Sequence, residues 1–326
     1  MDSIAHYYRE INAGFLNKNW HHGFEIYYKV EKDDDDEPQF LKFADYTTAN
    51  HARIKQLMEN DDRQEFFIHE TELVKYYKEF LIGNLKEARD EGGPSADLLE
   101  KAYHVAVLIM KEYFENIGSP RVLRTVDEVI AIMEGCLAKG DLEFFDVFKI
   151  TDKTNHSYTH CVNLSLYSMT VFSKLKMKPE VVREVGLGAM LCDIGKKSVP
   201  YKILNKTGEL DPDEMKQVRK HPSGGKKVLN DMKCYSENIL RMAAEHHEKF
   251  SGEGYPFGLA GEKISLYARL AAIMDCFNAL TSERAHRKAI TPFEALNKMK
   301  NEMPGHFDNR IFVNFVKILA SKQVAN

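Results

Sequence analysis

The sequence predicts a mainly α-helical protein in which a small α+β module precedes a long helical region. Two patterns carry this prediction. Apolar and aromatic residues alternate in part along 24–30 and 39–45, which is typical of strands. After residue 96, apolar residues recur at intervals of three and four along most segments, which is the spacing of one helix face.

The start of the chain supplies the elements of the mixed module. "FEIYYKV" and "QFLKFAD" are the first two predicted strands, and the acidic "EKDDDDEP" between them predicts a solvated hairpin tip because neighbouring carboxylates repel. The segment 51–59 predicts a short helix, and "EFFIHE" at 65–70 predicts a third strand. Helical spacing along 71–88 completes the module, to which we assign residues 1–88.

A break in the pattern separates this module from the helical region. "RDEGGPSA" at 89–96 carries two glycines and a proline, which favour a tight turn or a linker. The segments "ADLLEKAYHVAVLIMKEYFENI" and "PRVLRTVDEVIAIMEGCLAKG" follow with helical spacing, so we expect a helical connector over 89–145. The range 146–326 is predicted to form an all-helical domain.

Composition excludes several classes of function. The formal net charge of −4 argues against a DNA-binding role, which usually requires a basic face. No apolar run reaches the roughly 18 residues of a membrane span, so we expect no membrane partner. The chain start lacks the pattern of a secretory signal, and the five scattered cysteines do not suggest a disulfide framework. We therefore expect a cytoplasmic protein.

Histidine, cysteine and aspartate residues form the candidate chemical site of the helical domain. Asp193 ends the apolar run "VGLGAMLCDIGK", and Asp275 lies within the apolar "ARLAAIMDCFNALTS". A charged group among apolar residues is costly unless it is paired or bound to a metal, so these carboxylates predict a metal site. The full set of candidates is His160, Cys192, Asp193, His221, His246, His247 and Asp275.

These residue types favour hydrolysis of a phosphate ester. Imidazole and carboxylate groups together suit iron, manganese or zinc. One carboxylate can bridge two ions, and a pair of ions about 3.5–4 Å apart can activate a water for attack on phosphorus.

The stretches "HHEKFSGEGYPFGLAGEKI" and "ARLAAIMDCFNALTSERAHRKA" resemble the HD-GYP branch of the HD superfamily of metal-dependent phosphohydrolases. The resemblance implies a bacterial signalling enzyme with a helical HD-type domain, which hydrolyses cyclic di-GMP to the linear product. It also implies a binuclear centre of two divalent ions, iron or manganese or else zinc, with a bridging hydroxide as the nucleophile. The module at 1–88 would be an accessory or regulatory domain.

The resemblance also implies a role for each matching residue. The ligands of the first ion would be His160, Asp193 and Asp275. The ligands of the second ion would be His221, His246 and His247, with Asp193 as the bridging carboxylate. Lys196 would contact the phosphate or assist the leaving group, and Arg284 and Arg287 would hold phosphate oxygens. Tyr255, in the Gly-Tyr-Pro loop, would either contact substrate or pack the loop on the domain.

Three positions depart from the family pattern. Cys192 stands where the His-Asp dyad has its histidine, and it would either bind the first ion as a thiolate or remain a buried neutral thiol. His156 stands where members with three ions have a glutamate, and Asn278 replaces a carboxylate near the site. Each change removes acidic or imidazole chemistry, so we expect slower catalysis or an altered metal preference.

Three functional hypotheses follow from the sequence. In the first, the chain is a cyclic di-GMP phosphodiesterase, which the remaining ligand positions favour. In the second, which Cys192 favours, it is an impaired domain that senses a nucleotide or binds a partner, such as a GGDEF-type cyclase domain on the Gly-Tyr-Pro loop. A hydrolase of another nucleotide is a third hypothesis, against which the Gly-Tyr-Pro loop argues.

Overall fold

A four-stranded antiparallel sheet at the start of the chain is followed by a succession of helices in the computed structural model of the protein. The predicted fold class, mainly α with a small α+β module first, is therefore confirmed. No helix in the described part of the chain is both long and apolar enough to cross a membrane. The described residues are 7–11, 24–30, 38–46, 52, 56, 60, 65–115, 122–154, 156–204, 206, 208–283 and 287–320.

The sheet has the strand order β1–β4–β2–β3, and every neighbouring pair is antiparallel. Its strands are β1 (Tyr8–Ile11), β2 (Phe24–Val30), β3 (Gln39–Tyr46) and β4 (Phe66–His69). Alternate residues of β2 and β4 are buried, as expected for strands with one face on the core. The three predicted strands are confirmed. The predicted acidic hairpin tip and most of the helix predicted at 51–59 lie outside the described residues.

A helical segment connects the sheet to the rest of the chain. It consists of α1 (Leu73–Lys75), a π-helical turn at Tyr76–Leu81 and α2 (Ile82–Gly92). The rings of Tyr76 and Phe80 contact Phe24 of β2, at centroid distances of 5.7 and 5.6 Å. The helix predicted over 71–88 is thus present, and the aromatic contacts fix it on the sheet.

The remaining helices form the connector and the helical domain. The predicted boundaries of 89–145 and 146–326 stay a prediction. The helices are α3 (Ala96–Glu115), α4 (Val126–Ala138), α5 (Phe144–Ile150), α6 (Ser157–Lys174), α7 (Pro179–Leu191), α8 (Tyr201–Leu204), α9 (Pro212–Val218), α10 (His221–Met232), α11 (Glu237–Glu245), α12 (Leu266–Thr281), α13 (Pro292–Glu302) and α14 (Asn309–Ala320).

The packing of α6 against α7 positions the candidate site. Ser165 of α6 donates a hydrogen bond to the carbonyl oxygen of Gly186 in α7, at 2.7 Å. A Cβ at Gly186 would lie 2.4 Å from the sulfur of Met169, so a side chain at this position would displace Met169. Because α6 carries His160 and α7 ends just before Asp193, this close contact sets the relative position of two candidate ligands.

Lys153, between α5 and α6, places its ammonium group among oxygen acceptors and an aromatic ring. Its Nζ donates to the carbonyl of Phe148 at 2.8 Å and to Thr151 Oγ1, and lies 3.4 Å from the centroid of the Phe148 ring. Burial lowers the pKa of Lys153 to about 7, against the opposing effect of Asp152. The unfolded chain, in which the pKa is about 10.4, therefore binds more protons than the folded chain between these values.

We expect Lys153 to make the free energy of unfolding rise between about pH 7 and about pH 10. Below this range both states bind the proton and burial of the cation destabilises the folded state, whereas above it both states are neutral. The Lys153→Met variant lacks this contribution, so the stability difference between the two proteins should change by about 3–4 kcal/mol over this range. Chemical denaturation across the range measures it, and parallel pH profiles would contradict the prediction.

Candidate metal centre

Four side chains converge from three parts of the helical domain. Asp193 follows α7, His221 begins α10, and His246 and His247 follow α11. One donor atom from each residue lies within 4.8 Å of the others, and three of the four residues are buried. Among the described histidine, cysteine, aspartate and glutamate residues, these four form the group that could hold a metal ion. We call them the four-residue group.

A close backbone contact places Asp193 against His221. The 3-10 segment Ile194–Ser198 starts directly after Asp193 and lies on the first turn of α10. A Cβ at Gly195 would lie 2.1 Å from the carbonyl oxygen of His221 and 2.5 Å from the amide nitrogen of Gly225. Since backbone atoms of a packed helix cannot swing aside, glycine at 195 permits this approach.

Backbone carbonyls fix which ring nitrogen carries the proton in two of the histidines. His221 Nδ1 lies 2.7 Å from the carbonyl oxygen of Val218, and His246 Nδ1 lies 2.9 Å from that of Ala243. A carbonyl oxygen only accepts, so both Nδ1 atoms carry protons and donate. In the neutral form of each ring, Nε2 therefore has a free lone pair.

These lone pairs face each other and a carboxylate oxygen. The two Nε2 atoms are 3.3 Å apart, and they lie 3.1 Å (His221) and 3.4 Å (His246) from Asp193 Oδ1. Asp193 Oδ1 is buried and has no hydrogen-bond partner among the described residues. Three buried acceptors this close repel one another unless a cation lies between them, so the residues present fit a divalent metal ion.

Electrostatics keep the ligands in the protonation states that a metal ion requires. Burial lowers the pKa of His221, and burial together with His246 holds the pKa of His247 well below its ordinary value. Burial by itself would raise the pKa of Asp193, but Lys196 and the neighbouring imidazoles hold it well below its usual range. The group therefore presents neutral imidazoles at His221 and His247 beside an ionised carboxylate.

His160 and Asp275 lie next to the four-residue group. His160 Nε2 is 2.9 Å from Asp275 Oδ1 and 3.6 Å from Asp193 Oδ2, and Asp275 Oδ2 is 3.7 Å from His247 Nδ1. Burial would raise the pKa of Asp275, but His160 and His247 lower it below its usual range. The structure thus brings the residues of both predicted ligand sets into one place.

Cys192 directs its thiol to the backbone of α7. Its Sγ donates to the carbonyl oxygen of Ala189 at 3.2 Å, and the side chain is fully buried. Burial raises the pKa of the thiol well above its usual value. Cys192 also lies outside the four-residue group. Of the two alternatives for this residue, the geometry supports the buried neutral thiol.

Lys196 is the predicted phosphate-binding cation that lies beside the group. Its Nζ is 2.6 Å from Asp193 Oδ2, so the two oxygens of this carboxylate have different neighbours. Burial would lower the pKa of Lys196, but Asp193 and Asp275 raise it above its ordinary value. Lys196 therefore carries a positive charge next to the site.

Other predicted positions are placed differently. Arg287 donates to the carbonyl oxygens of Ala279 and Leu280, the latter at 3.0 Å, so its guanidinium binds the C-terminal end of α12. Arg284 lies outside the described residues. His156, at the start of α6, is exposed, and its ring stacks on Tyr158 at a centroid distance of 4.9 Å. It is not a member of the four-residue group.

The Gly-Tyr-Pro loop packs on the group through Tyr255. The Tyr255 ring stacks on His247, with centroids 4.9 Å apart and planes at 27°, and its amide donates to the carbonyl of His247 at 3.2 Å. The guanidinium carbon of Arg219 lies 5.3 Å from the centroid of the Tyr255 ring. Of the two roles considered for Tyr255, these contacts support packing of the loop.

Glu248 holds the loop in place, a role that the sequence analysis did not assign. Its buried carboxylate accepts from the amides of Phe257 and Leu259, at 2.6 and 3.0 Å. A Cβ at Gly254 would lie 2.4 Å from the Cα of Glu248, so glycine at 254 permits the loop to approach this residue closely. The sequence did contain a signal for this role, because Glu248 directly follows two candidate ligands and precedes a turn whose amides need acceptors.

The helical domain matches a family model described as HD domain over residues 149–311, which is half of the chain. The chain therefore belongs to the HD domain family. Within that family, the tandem histidines and the Gly-Tyr-Pro loop place it in the HD-GYP branch, so the predicted family is confirmed.

Curated relatives share this part of the chain. A cyclic di-GMP phosphodiesterase of Pseudomonas aeruginosa is 40% identical over 52% of this chain and 41% of its own length. The response regulator RpfG of Xanthomonas campestris, also named a cyclic di-GMP phosphodiesterase, is 37% identical over 43% of this chain and 37% of its own length. A 3'3'-cGAMP-specific phosphodiesterase of Vibrio cholerae is 33% identical over 52% of this chain and 37% of its own length. The chain thus spans less than half the length of these relatives.

A solved structure shares the fold. The HDG"Y"P protein Bd1817 of Bdellovibrio bacteriovorus superposes with a TM-score of 0.60 at 20% identity. The likeness covers 96% of this chain and 99% of that one. It concerns the fold, and it extends over nearly the whole chain rather than over the helical domain alone.

We expect the Gly195→Ala variant to lose at least about tenfold in affinity for Mn²⁺, because the added methyl group pushes Asp193 away from His221. Gly224→Ala in α10 is the matched control, since a Cβ there would lie 3.8 Å from Ser198 Oγ, an ordinary contact distance. Calorimetric titration of both variants measures the affinity, and thermal unfolding monitors the fold. Equal affinities in the two variants would show that the close contact at Gly195 does not position the ligands.

We expect the Cys192→Ser variant to bind Mn²⁺ or Zn²⁺ within about twofold of the wild type, because a neutral thiol that donates to a carbonyl is not a ligand. Asp193→Asn is the comparison variant and should lower the affinity at least about tenfold. Metal content after dialysis and calorimetric titration measure both. A loss in Cys192→Ser comparable to that in Asp193→Asn would identify a thiolate ligand.

Proposed function

We propose that this chain hydrolyses a phosphodiester bond of cyclic di-GMP to give the linear product, in a metal-dependent reaction. The names of its relatives support a cyclic-dinucleotide phosphodiesterase. The observation that carries the proposal is the convergence of His221 Nε2 and His246 Nε2 on Asp193 Oδ1. A set of buried lone pairs of this kind suits a divalent ion that faces a scissile phosphate.

Divalent ions bound there would supply Lewis-acid chemistry, which lowers the pKa of a water and neutralises the charge of the phosphodiester. Asp193 would hold the ion through Oδ1, while Lys196 beside Oδ2 keeps the carboxylate ionised. The proton on Lys196 Nζ is available to a phosphate oxygen or to the leaving oxygen as its negative charge develops. Both residues therefore contribute to the reaction as catalytic residues in this proposal.

The proposal includes the two-ion arrangement that the resemblance implies, with iron or manganese, or else zinc. The four-residue group would hold one ion, and His160 and Asp275 together with Asp193 would hold the other. A neutral thiol at Cys192 adds no ligand to this second position, so we expect weaker binding there and reduced activity. A cytoplasmic location and the regulatory role of residues 1–88 are parts of the same proposal.

The thiol of Cys192 also favours a second candidate function. A domain with a weakened metal centre can bind a cyclic dinucleotide, or a partner such as a GGDEF-type cyclase domain, without hydrolysing anything. The contact of Tyr255 with His247 couples the Gly-Tyr-Pro loop to the metal ligands, so a partner on this loop would sense the state of the site.

We expect the purified protein, loaded separately with Fe²⁺, Mn²⁺ or Zn²⁺, to convert cyclic di-GMP to a linear dinucleotide. Chromatography of the nucleotides after incubation measures turnover, and 3'3'-cGAMP in a parallel reaction tests the substrate of the Vibrio relative. Asp193→Asn should reduce turnover at least about 100-fold, because an amide would hold the divalent ion less tightly than the carboxylate does.

The outcomes separate the two candidate functions. Absence of turnover with all three ions would overturn the enzymatic proposal, and calorimetric binding of the intact nucleotide would then support the sensor. A large gain of activity in Cys192→His, with unfolding temperature as the fold control, would show that the natural protein is an active but attenuated enzyme. Faster turnover of 3'3'-cGAMP than of cyclic di-GMP would support the proposed phosphodiester hydrolysis but identify a different substrate.

A further inference from the structure

A chain of hydrogen bonds runs from the helical connector to His160 Nδ1, the ring nitrogen that faces away from the carboxylates of the site. It passes through Tyr103 of α3, Asn163 of α6 and Asn278 of α12, all of which are buried. Two backbone carbonyls border this chain, and a carbonyl only accepts. They therefore fix the direction of every hydrogen bond along it.

The carbonyl of Asp152 fixes the orientation of Asn163. The amide atom that lies 2.7 Å from the Asp152 carbonyl oxygen must be a donor, so it is Nδ2. Asn163 Oδ1 then accepts from the hydroxyl of Tyr103 at 2.8 Å. That hydroxyl in turn accepts from the backbone amide of Asp152, also at 2.8 Å. The contacts of Nδ2 and of Oδ1 thus require the same orientation of the Asn163 amide.

The carbonyl of His160 fixes Asn278 in the same way. The amide atom that lies 3.3 Å from the His160 carbonyl oxygen must be Nδ2. Asn278 Oδ1 then accepts from Asn163 Nδ2 at 3.3 Å and from Ser282 Oγ at 3.1 Å. In the orientation that these contacts require, Asn278 Nδ2 lies 2.8 Å from His160 Nδ1.

This orientation decides the tautomer of His160. An amide N–H directed at Nδ1 needs a lone pair there, and a neutral imidazole has one protonated and one unprotonated nitrogen. The proton of His160 is therefore on Nε2, the atom 2.9 Å from Asp275 Oδ1 and 3.6 Å from Asp193 Oδ2. Nε2 is buried and makes no aligned hydrogen bond within the described residues.

The tautomer of His160 is thus opposite to that of His221 and His246. His221 and His246 donate from Nδ1 to backbone carbonyls and offer lone pairs on Nε2. His160 accepts at Nδ1 and presents an N–H on the side of the carboxylates. An N–H cannot coordinate a cation, whereas it can donate to an anionic oxygen.

We propose that Asn278 is a positioning residue that holds His160 as a hydrogen-bond donor, so that the resting protein binds one divalent ion tightly, at the four-residue group, and a second ion at His160 only weakly. His160 Nε2–H then donates to an anionic oxygen in the site, either of a carboxylate or of a bound phosphate. To bind a second ion, His160 must move its proton from Nε2 to Nδ1. The N–H at Nδ1 would then face the N–H of Asn278, and the hydrogen bond between the two residues would be lost. The inference rests on the proposed function only in taking the four-residue group as a cation site.

The tautomer can be read directly from the metal-free protein. In a long-range ¹H–¹⁵N spectrum of the chelator-treated protein, we expect His160 to show a protonated Nε2 and an unprotonated Nδ1, whereas His221 and His246 show the reverse. The variant His160→Gln identifies the resonances by their loss. A protonated Nδ1 in His160 would overturn the proposal, and this result is independent of whether the protein hydrolyses any nucleotide.

Metal counting provides the second test. After loading with Mn²⁺ and removal of free ion, we expect one ion per chain in the wild type and in Ser282→Ala, which removes a donor to Asn278 Oδ1 but keeps Nδ2 on His160. Asn278→Asp supplies an acceptor for an Nδ1 proton, frees the lone pair of Nε2, and should raise the count towards two. Two ions per chain in the wild type would overturn the proposal.

The Asn278→Asp spectrum links the two measurements. We expect the proton of His160 to move to Nδ1 in this variant, and circular dichroism and thermal unfolding establish that the helical domain is intact. An increased ion count without this move would contradict a role through the tautomer. If the variant does not fold, the spectrum and the ion count of the wild type decide between the outcomes.

Discussion

Repulsion among buried lone pairs is the constraint on which the site of this protein depends. The Nε2 atoms of His221 and His246 and Oδ1 of Asp193 lie 3.1 to 3.4 Å from one another in a buried position. Water cannot screen these acceptors there, so a cation is the group that satisfies all three. Lys196 has the same function at the other oxygen of Asp193, where its ammonium lies 2.6 Å away. Burial thus explains why each oxygen of this carboxylate requires a cation as its neighbour.

The rest of the domain serves to hold these acceptors together against their repulsion. Backbone carbonyls orient the two imidazoles, and the close approach at Gly195 holds the segment after Asp193 on α10. Glu248 fixes the Gly-Tyr-Pro loop, whose tyrosine covers one face of His247. These contacts involve backbone atoms or buried polar groups. Replacing any one of them would therefore move one of the candidate ligands.

The two departures at Cys192 and Asn278 would affect the same ion position of the proposed centre. The thiol is hydrogen-bonded to its own helix, and the amide donates to His160. In the proposed two-ion arrangement, both changes would weaken the position at His160 and Asp275. Neither change removes the hydrogen bonds of His221 and His246 to backbone carbonyls. The family and the four-residue group support one cation position, and the second stays a proposal.

The sequence alone determined the class of fold, the three predicted strands and the family, because periodicity and a contiguous motif are local signals. It did not reveal β1, since four residues with one buried side chain carry too little pattern. It named the residues that converge, but it could not assign Arg287 to the end of α12 or Glu248 to the loop, because these partners are distant or are backbone atoms. Only the tertiary structure supplied the contacts from which the tautomer of His160 is proposed, and only it placed the Cys192 thiol. Hydrogen-bond direction depends on which carbonyls and amides surround a side chain, and packing of separate helices sets those neighbours.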